Sequence, residues 1–309
     1  MTIHPCATLT GHTNWIYDAT FSPDGTILAT AGWDQTVRLW TVDTAKPRAV
    51  LRGHQTEIFA VAFSPDGATL ASCSANNDSV VRLWDTEQGT EQFVLKGHSN
   101  AVHDVVFSPQ GTTLASCGYD KTVKMWDREN GQELLTLSGH HRPVYTVDFA
   151  PDGKTVLAAS SDTTVKRWST STGKLQSDKK GAMKSCHSIE FSNDGLLVAG
   201  AYGYRDRSQN RSLGLIQVWN PLSGALARRL VGHRKWAYSL AFSADGKRLV
   251  SGGWDGTVKL WDWEAGRELA KLAGHDDIVM AVAISPDRRM VAAGGYDQEI
   301  HLWDISGAD

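Results

Sequence analysis

Seven tryptophans, Trp40, Trp84, Trp126, Trp168, Trp219, Trp261 and Trp303, recur along this chain at a usual step of 42 residues, with two extra residues in the second unit and nine in the fifth. A fixed period of this size marks a solenoid or a propeller, because each copy is one supersecondary unit that buries its apolar face only by stacking on the next. The stretch 232–262, GHRKWAYSLAFSADGKRLVSGGWDGTVKLWD, shows the unit in full. Gly-His pairs open six units, at Gly11, Gly53, Gly97, Gly139, Gly232 and Gly274, and Gly181-Ala182 stands in that place in the fifth.

Within a unit the patterning is that of strands. Ile16, Ala19 and Phe21, matched by Ile58, Val61 and Phe63, define a first strand, A. Ile16 and Ala19 are an odd number apart, so both face one side only if one extra residue bulges between them, and a bulge near Tyr17 is predicted. Ser-Pro-Asp-Gly (22–25, 64–67) follows as a tight turn, Pro presetting its dihedral and Gly admitting a positive one. ILATA and TLASC are nearly continuous small or apolar runs, which fits a strand B covered on both faces. Asp34, Asp78, Asp120, Asp162, Asp255 and Asp297 each lie six residues before their Trp and lead into strand C, where Val37 and Leu39 alternate with Arg38 and Trp40. A Gly-containing turn and a fourth strand, D, such as FVLKGH, complete a four-stranded blade.

Composition narrows the class further. A chain of 309 residues folded as one domain buries about three-quarters of the surface its unfolded form exposes. The net charge of -3 excludes a general polyanion binder. The start, MTIHPCATLT, has no basic n-region or apolar h-region, and no apolar run approaches the roughly 18 residues of a membrane span. A soluble cytoplasmic protein is expected. Cys6, Cys73, Cys117 and Cys186 show no CxxC spacing and read as small core residues.

The Gly-His openings, the Trp-Asp closings (Trp84-Asp85, Trp126-Asp127, Trp261-Asp262, Trp303-Asp304) and the intervening Asp together resemble the WD-repeat family, over essentially the whole of 1–309. The resemblance implies an all-β fold: a single seven-bladed β-propeller with four antiparallel strands per blade and strand A on a central channel. Trp40-Thr41, Trp168-Ser169 and Trp219-Asn220 depart from the closing pair, which the family tolerates. No strand D follows Trp303-Asp304, whereas CATLTGH (6–12) matches the D columns. Residues near 6–10 are therefore predicted to complete the last blade and hide two sheet edges.

The same resemblance implies a structural hydrogen-bond network of His, Ser/Thr, Asp and Trp. Its positions align as His12, Thr30, Asp34, Trp40; His54, Ser72, Asp78, Trp84; His98, Ser116, Asp120, Trp126; and His233, Ser251, Asp255, Trp261. Four near-identical copies, each ending on a Trp, read as scaffold rather than as a nucleophilic triad. Ala158 and Ala293 replace the hydroxyl in units four and seven, and unit five keeps only Trp219, with Ala182, Gly200 and Leu213 at the other places. Blade five and the edge of blade four are thus expected to be the least stable sector.

Function is expected on the face where the D-to-A and B-to-C loops meet, since the family usually recruits partners there. Three columns of residues should point at it: Trp15, Glu57, Ala101, Pro143, Ser185, Trp236, Ile278; then Tyr17, Phe59, His103, Tyr145, His187, Tyr238, Met280; then Trp33, Asn77, Tyr119, Ser161, Trp254, Tyr296, with unit five unassigned. Half of these positions are aromatic in a chain that is 9% aromatic overall, and such residues anchor interfaces. The insertion AYGYRDRSQNRSLG (201–214) brings Arg205, Arg207 and Arg211 into a basic sector, 179–235, that suits an acidic or phosphorylated partner patch. A non-catalytic scaffold docking a protein or peptide fits best, as a monomeric ring without cofactor. A small-ligand or catalytic pocket at the channel mouth, using Glu57, His103 and His187, comes second. Nucleic-acid binding comes third, resting on the basic sector with Tyr202 and Tyr204. No metal is expected: the Gly-His histidines read as structural, and His141, His187 and His301 have no partners at ligand spacing.

Overall fold

A computed structural model describes residues 2–180, 186–206 and 211–308. Blade one shows how the pattern folds. Its strands run Ile16–Phe21 (A), Ile27–Gly32 (B), Thr36–Thr41 (C) and Lys46–Arg52 (D), paired in that order and antiparallel. Strand B is buried throughout, as a strand sandwiched between neighbouring blades must be, while D alternates toward solvent. The Ser22–Gly25 turn closes on itself: Ser22 Oγ donates to Asp24 Oδ1 at 2.5 Å, and Gly25 takes a φ of 74° that a side chain would resist. Seven such sheets follow one another around a ring. No described residue is helical, so no helix is long and apolar enough to cross a membrane.

Adjacent blades share one apolar cluster at each of the seven junctions. Val37, Leu39 and Leu51 of blade one, for example, meet Ile58, Val61 and the closing Trp84 of blade two. Six of the closing tryptophans are no more than 2% exposed. At about 25 cal/mol per Å² and 150–250 Å² for each ring, these are among the largest apolar contributions in the fold.

Closure takes the expected route and adds a second contact. Ala7–Thr10 pairs antiparallel with Glu299–Asp304 and so supplies strand D of blade seven, its register running from Ala7 opposite Leu302 to Thr10 opposite Glu299. Upstream, Thr2–Ile3 runs parallel to strand D of blade six (Arg267–Leu272), and Ile3 O accepts the Ala273 N–H at 2.9 Å. The N-terminal segment therefore clips two blades together. Deleting residues 1–10 should lower the melting temperature by many degrees, because it removes an entire strand and exposes two edges; an unchanged calorimetric transition would remove this closure.

The hydrogen-bond sets vary as the sequence varies. In blade three Trp126 Nε1–H donates to Ser116 Oγ (2.8 Å), Ser116 Oγ pairs with His98 Nε2 (2.8 Å), and His98 Nδ1 with Asp120 Oδ2 (2.7 Å). Blades one, two and six repeat all three links. In blade four Ala158 leaves only His140 with Asp162, and His140 Nε2 and Trp168 Nε1 have no partner. In blade five Gly200 leaves a space that the Tyr202 ring enters, 2.8 Å from where a Cβ would stand, and Trp219 is only partly buried. A cavity of about 190 Å³ opens between blades four and five, lined by Leu157, Val165, Tyr202, Gln217 and Trp219 among others. Ala182 lies outside the described residues. Lost bonds worth on the order of 1 kcal/mol each, together with an unfilled cavity, should make amide hydrogens of strands C and D in blades four and five exchange first; uniform protection around the ring would contradict this.

Candidate functional site

The site begins with a backbone irregularity. In strand A of blade one Ile16 opposes Gly32 and Asp18 opposes Ala31, so Tyr17 is the extra residue. The same shift occurs in all seven blades, at Phe59, His103, Tyr145, His187, Tyr238 and Met280. A bulge re-aims its side chain and sharpens the local twist. All seven bulge residues line one cavity of about 90 Å³ at the channel mouth.

Around that mouth the other two columns add a second tier. Trp15 stacks on Tyr296 with ring centres 3.9 Å apart and planes 2° from parallel, and meets Trp33 edge-on at 4.5 Å. Contacts then run from Trp33 to Tyr17, Phe59, His103, Tyr145, His187, Trp236 and Trp254, each centre within 6 Å of the next. Tyr119 packs on His103 and Tyr145, and Tyr238 on His187. Every one of these aromatic residues is half-buried, and Trp254 Nε1 and His187 Nε2 are enclosed without a hydrogen-bond partner. Burial lowers His103 and His187 to about 4, so both are neutral near pH 7 and join the ring as aromatic faces. Glu57 sits half-buried at the first-column place of blade two, its backbone carbonyl accepting the Ala75 N–H at 2.9 Å.

Two column assignments change. The third column is defined by an N–H donated to the first-column carbonyl, as from Trp33 to Trp15, Tyr119 to Ala101 and Trp254 to Trp236. In blade two Ala75 makes that bond, so Ala75 rather than Asn77 holds the position; the two extra residues of this unit lie in the turn beyond it. In blade five, where Cys186 pairs with Tyr202, the position falls to Gly203. A Cβ on Gly203 would lie 2.4 Å from the Trp236 ring, so this glycine makes room for the indole. Ser185 lies outside the described residues.

The insertion in blade five extends an existing hairpin. Strands Val198–Asp206 and Arg211–Trp219 stay paired from Val198 opposite Trp219 to Asp206 opposite Arg211, with Arg205 opposite Ser212. Arg207 lies outside the described residues. The ladder carries the backbone of Arg205 and Arg211 beyond the level at which the other blades turn.

Sequence columns missed the acidic wall below the mouth. Asp18 Oδ2 accepts the Val61 N–H of the next blade at 2.8 Å, Asp104 that of Val147 at 2.9 Å, Asp148 that of Phe191 at 2.7 Å, and Glu190 that of Phe242 at 2.8 Å. Ser239 receives the Val282 N–H in the same manner. These bonds tie strand A of one blade to strand A of the next. Burial raises Asp18 to about 7 and Asp104 to about 6, although the N–H donors work the other way. Asp18 and Asp104 directly follow a bulge residue, while Asp148 and Glu190 stand three residues after one, so no single column carried the signal.

Histidine 301 also needs correction. It had no partner at sequence spacing, yet its ring centre lies 4.5 Å from that of His275, 26 positions earlier in the chain, with Asp297 beside them. The D-to-A loop before strand A, the B-to-C turn and strand C of blade seven bring the three together.

Charge within the scaffold gives a pH prediction. Burial alone would raise Asp120, but the bonds from His98 and Thr122 outweigh it and hold the carboxyl down to about 2 from 3.8. A carboxyl lowered in the folded state stabilises fully above its unfolded pKa and loses that contribution as pH falls through the folded one. The melting-temperature gap between wild type and Asp120→Asn should thus be widest above about pH 4 and close toward pH 2; a gap independent of pH would refute the assignment.

Comparison with known proteins places the chain. A segment of 42 residues is 48% identical to Ribosome assembly protein 4 of Chaetomium thermophilum. That alignment covers 14% of this chain and only 8% of the relative, one repeat's length, so it carries the repeat and not the relative's role. The model of the WD domain, G-beta repeat, matches residues 3–41, 45–85, 89–127, 131–169, 224–262 and 266–304. Blade five falls in the gap between matches, where the hydrogen-bond set has gone. Six matched segments covering well over half of the sequence, on a ring of seven four-stranded blades, make this chain a member of the WD-repeat β-propeller family.

Proposed function

We propose that the chain is a non-catalytic docking scaffold that binds a protein or peptide on the face bearing the seven strand-A bulges. The observation that carries the reading is the near-continuous ring of half-exposed aromatic side chains around the channel mouth. Large rings already held by their neighbours lose little conformational freedom on binding, while their free faces still offer apolar area to a partner. Propellers of this family generally bind proteins.

The cavity enclosed by the ring favours a macromolecule over a small ligand. At about 90 Å³ it is smaller than the roughly 150 Å³ cavity that admits benzene in an engineered protein. A peptide side chain could enter it while the rest of the partner lies across the rim. The basic sector around Arg205, Arg207 and Arg211 would steer an acidic or phosphorylated patch toward the mouth.

Once a partner has been captured from native lysate and identified, its affinity for variants tests the face. Trp236→Ala or Trp254→Ala should cost about 2 kcal/mol or more, mostly as faster dissociation, with the melting temperature nearly unchanged. Neutralising Arg205, Arg207 and Arg211 together should instead slow association and flatten its salt dependence. Wild-type affinity in the tryptophan variants, with folding intact, would move the functional surface elsewhere.

A further inference from the structure

Blade seven departs from its siblings at two positions that face each other across one ladder. The place occupied by a tetrad hydroxyl in blades one, two, three and six is Ala293, and opposite it stands His301. Two residues before the closing tryptophan, the other blades carry Arg38, Arg82, Lys124, Lys166, Gln217 and Lys259. Blade seven alone puts an imidazole there.

The consequence is a pair of buried, unsatisfied ring nitrogens. His275 keeps its bond to Asp297, Nδ1 to Oδ2 at 2.6 Å, but without a hydroxyl at 293 its Nε2 has no partner. His301 Nδ1 lies 2.9 Å from Thr8 Oγ1, and its Nε2 is unpaired as well, the Glu299 carboxylate lying 3.4 Å away without closing a hydrogen bond. The two side chains are 1% and 6% exposed. Blade four serves as an internal comparison: Ala158 orphans His140 Nε2 in the same way, but the residue facing it is Lys166, a cation.

We infer that His275 and His301 form a binding site for a divalent transition-metal ion of the zinc class, with Asp297 orienting His275. His275, Asp297 and His301 can each offer a donor atom with all three within 4.8 Å of one another. A tetrahedral zinc with bonds of about 2.1 Å sets two nitrogen donors about 3.4 Å apart, so side-chain rotation has to bring the two imidazoles closer together on the metal. Asp297 already holds the Nδ1–H of His275, which leaves Nε2 as the donor; a carboxylate behind a liganding histidine fixes both tautomer and ring orientation. Thr8 can accept the Nδ1–H of His301 in the same manner. Since Thr8 belongs to the N-terminal strand that closes the ring, a bound metal would tighten that closure. The Glu299 carboxylate is exposed enough to swing in as a further ligand, and water completes the shell.

The test uses untagged full-length protein stripped with a chelator and titrated with Zn²⁺ alone, read by calorimetry and by metal content after gel filtration. Wild type should hold one equivalent and melt at a higher temperature with the metal. Ala293→Ser restores the hydroxyl that occupies Nε2 in four other blades, and His301→Lys installs the residue type of blades three, four and six. Both should fold, and each should weaken Zn²⁺ binding by roughly tenfold or more, the scale on which losing a ligand or the group that orients it acts. If wild type retains no zinc, or if both variants retain it as tightly as wild type, the site does not exist; binding through His4 or Cys6 would give that second result.

Discussion

Each closing tryptophan lies in the seam between two blades, and the ring stands on that repeated burial. An indole cannot be buried freely, because its N–H must find an acceptor. In blades one, two, three and six the acceptor is a hydroxyl, itself linked to an imidazole and through it to the carboxylate of the B-to-C turn. One chain of bonds thus joins strand C, strand B, the D-to-A loop and the turn, so a single burial positions four segments. The two ways of losing the hydroxyl differ. Trp303 finds the Ala273 carbonyl at 2.9 Å, whereas Trp168 finds no partner.

On this scaffold function is carried by a different device. The bulge in strand A is demanded by packing, since the apolar residues on both sides of it must face the same seam. Its by-product is one side chain per blade turned toward the channel mouth, whose identity the packing leaves free. Tyr17, Phe59, His103, Tyr145, His187, Tyr238 and Met280 share one backbone geometry and differ chemically. A fold of this kind can keep its core and change its partner by altering bulge residues and the loops above them.

Blade-to-blade ties inside the channel follow a similar economy. Asp18, Asp104, Asp148 and Glu190 reach the backbone of the next strand A, and in blades two and seven the residues aligned with Asp18 and Asp104 are Ala60 and Ala281, which cannot accept such a bond. The junction of blades seven and one is instead secured from outside, by the N-terminal strand.

The sequence by itself determined the number of blades, their strands, the bulge and the closing strand, because each rests on spacing within one period, and its resemblance to the WD-repeat family implied the four intact hydrogen-bond sets. It also brought most of the aromatic face into register, since equivalent positions in a repeat occupy equivalent places. Only the tertiary structure decided what depends on distances between units: that the rings touch in sequence around the mouth, that Gly203 makes room for Trp236, and that Thr2–Ile3 reaches blade six. It alone moved the blade-two position from Asn77 to Ala75, because an insertion shifts the count while the hydrogen bond keeps the place. It also set the His301 ring against that of His275, a contact at the ordinary 26-residue step between the Gly-His histidine and the residue two before the closing tryptophan, where the other blades carry Arg, Lys or Gln.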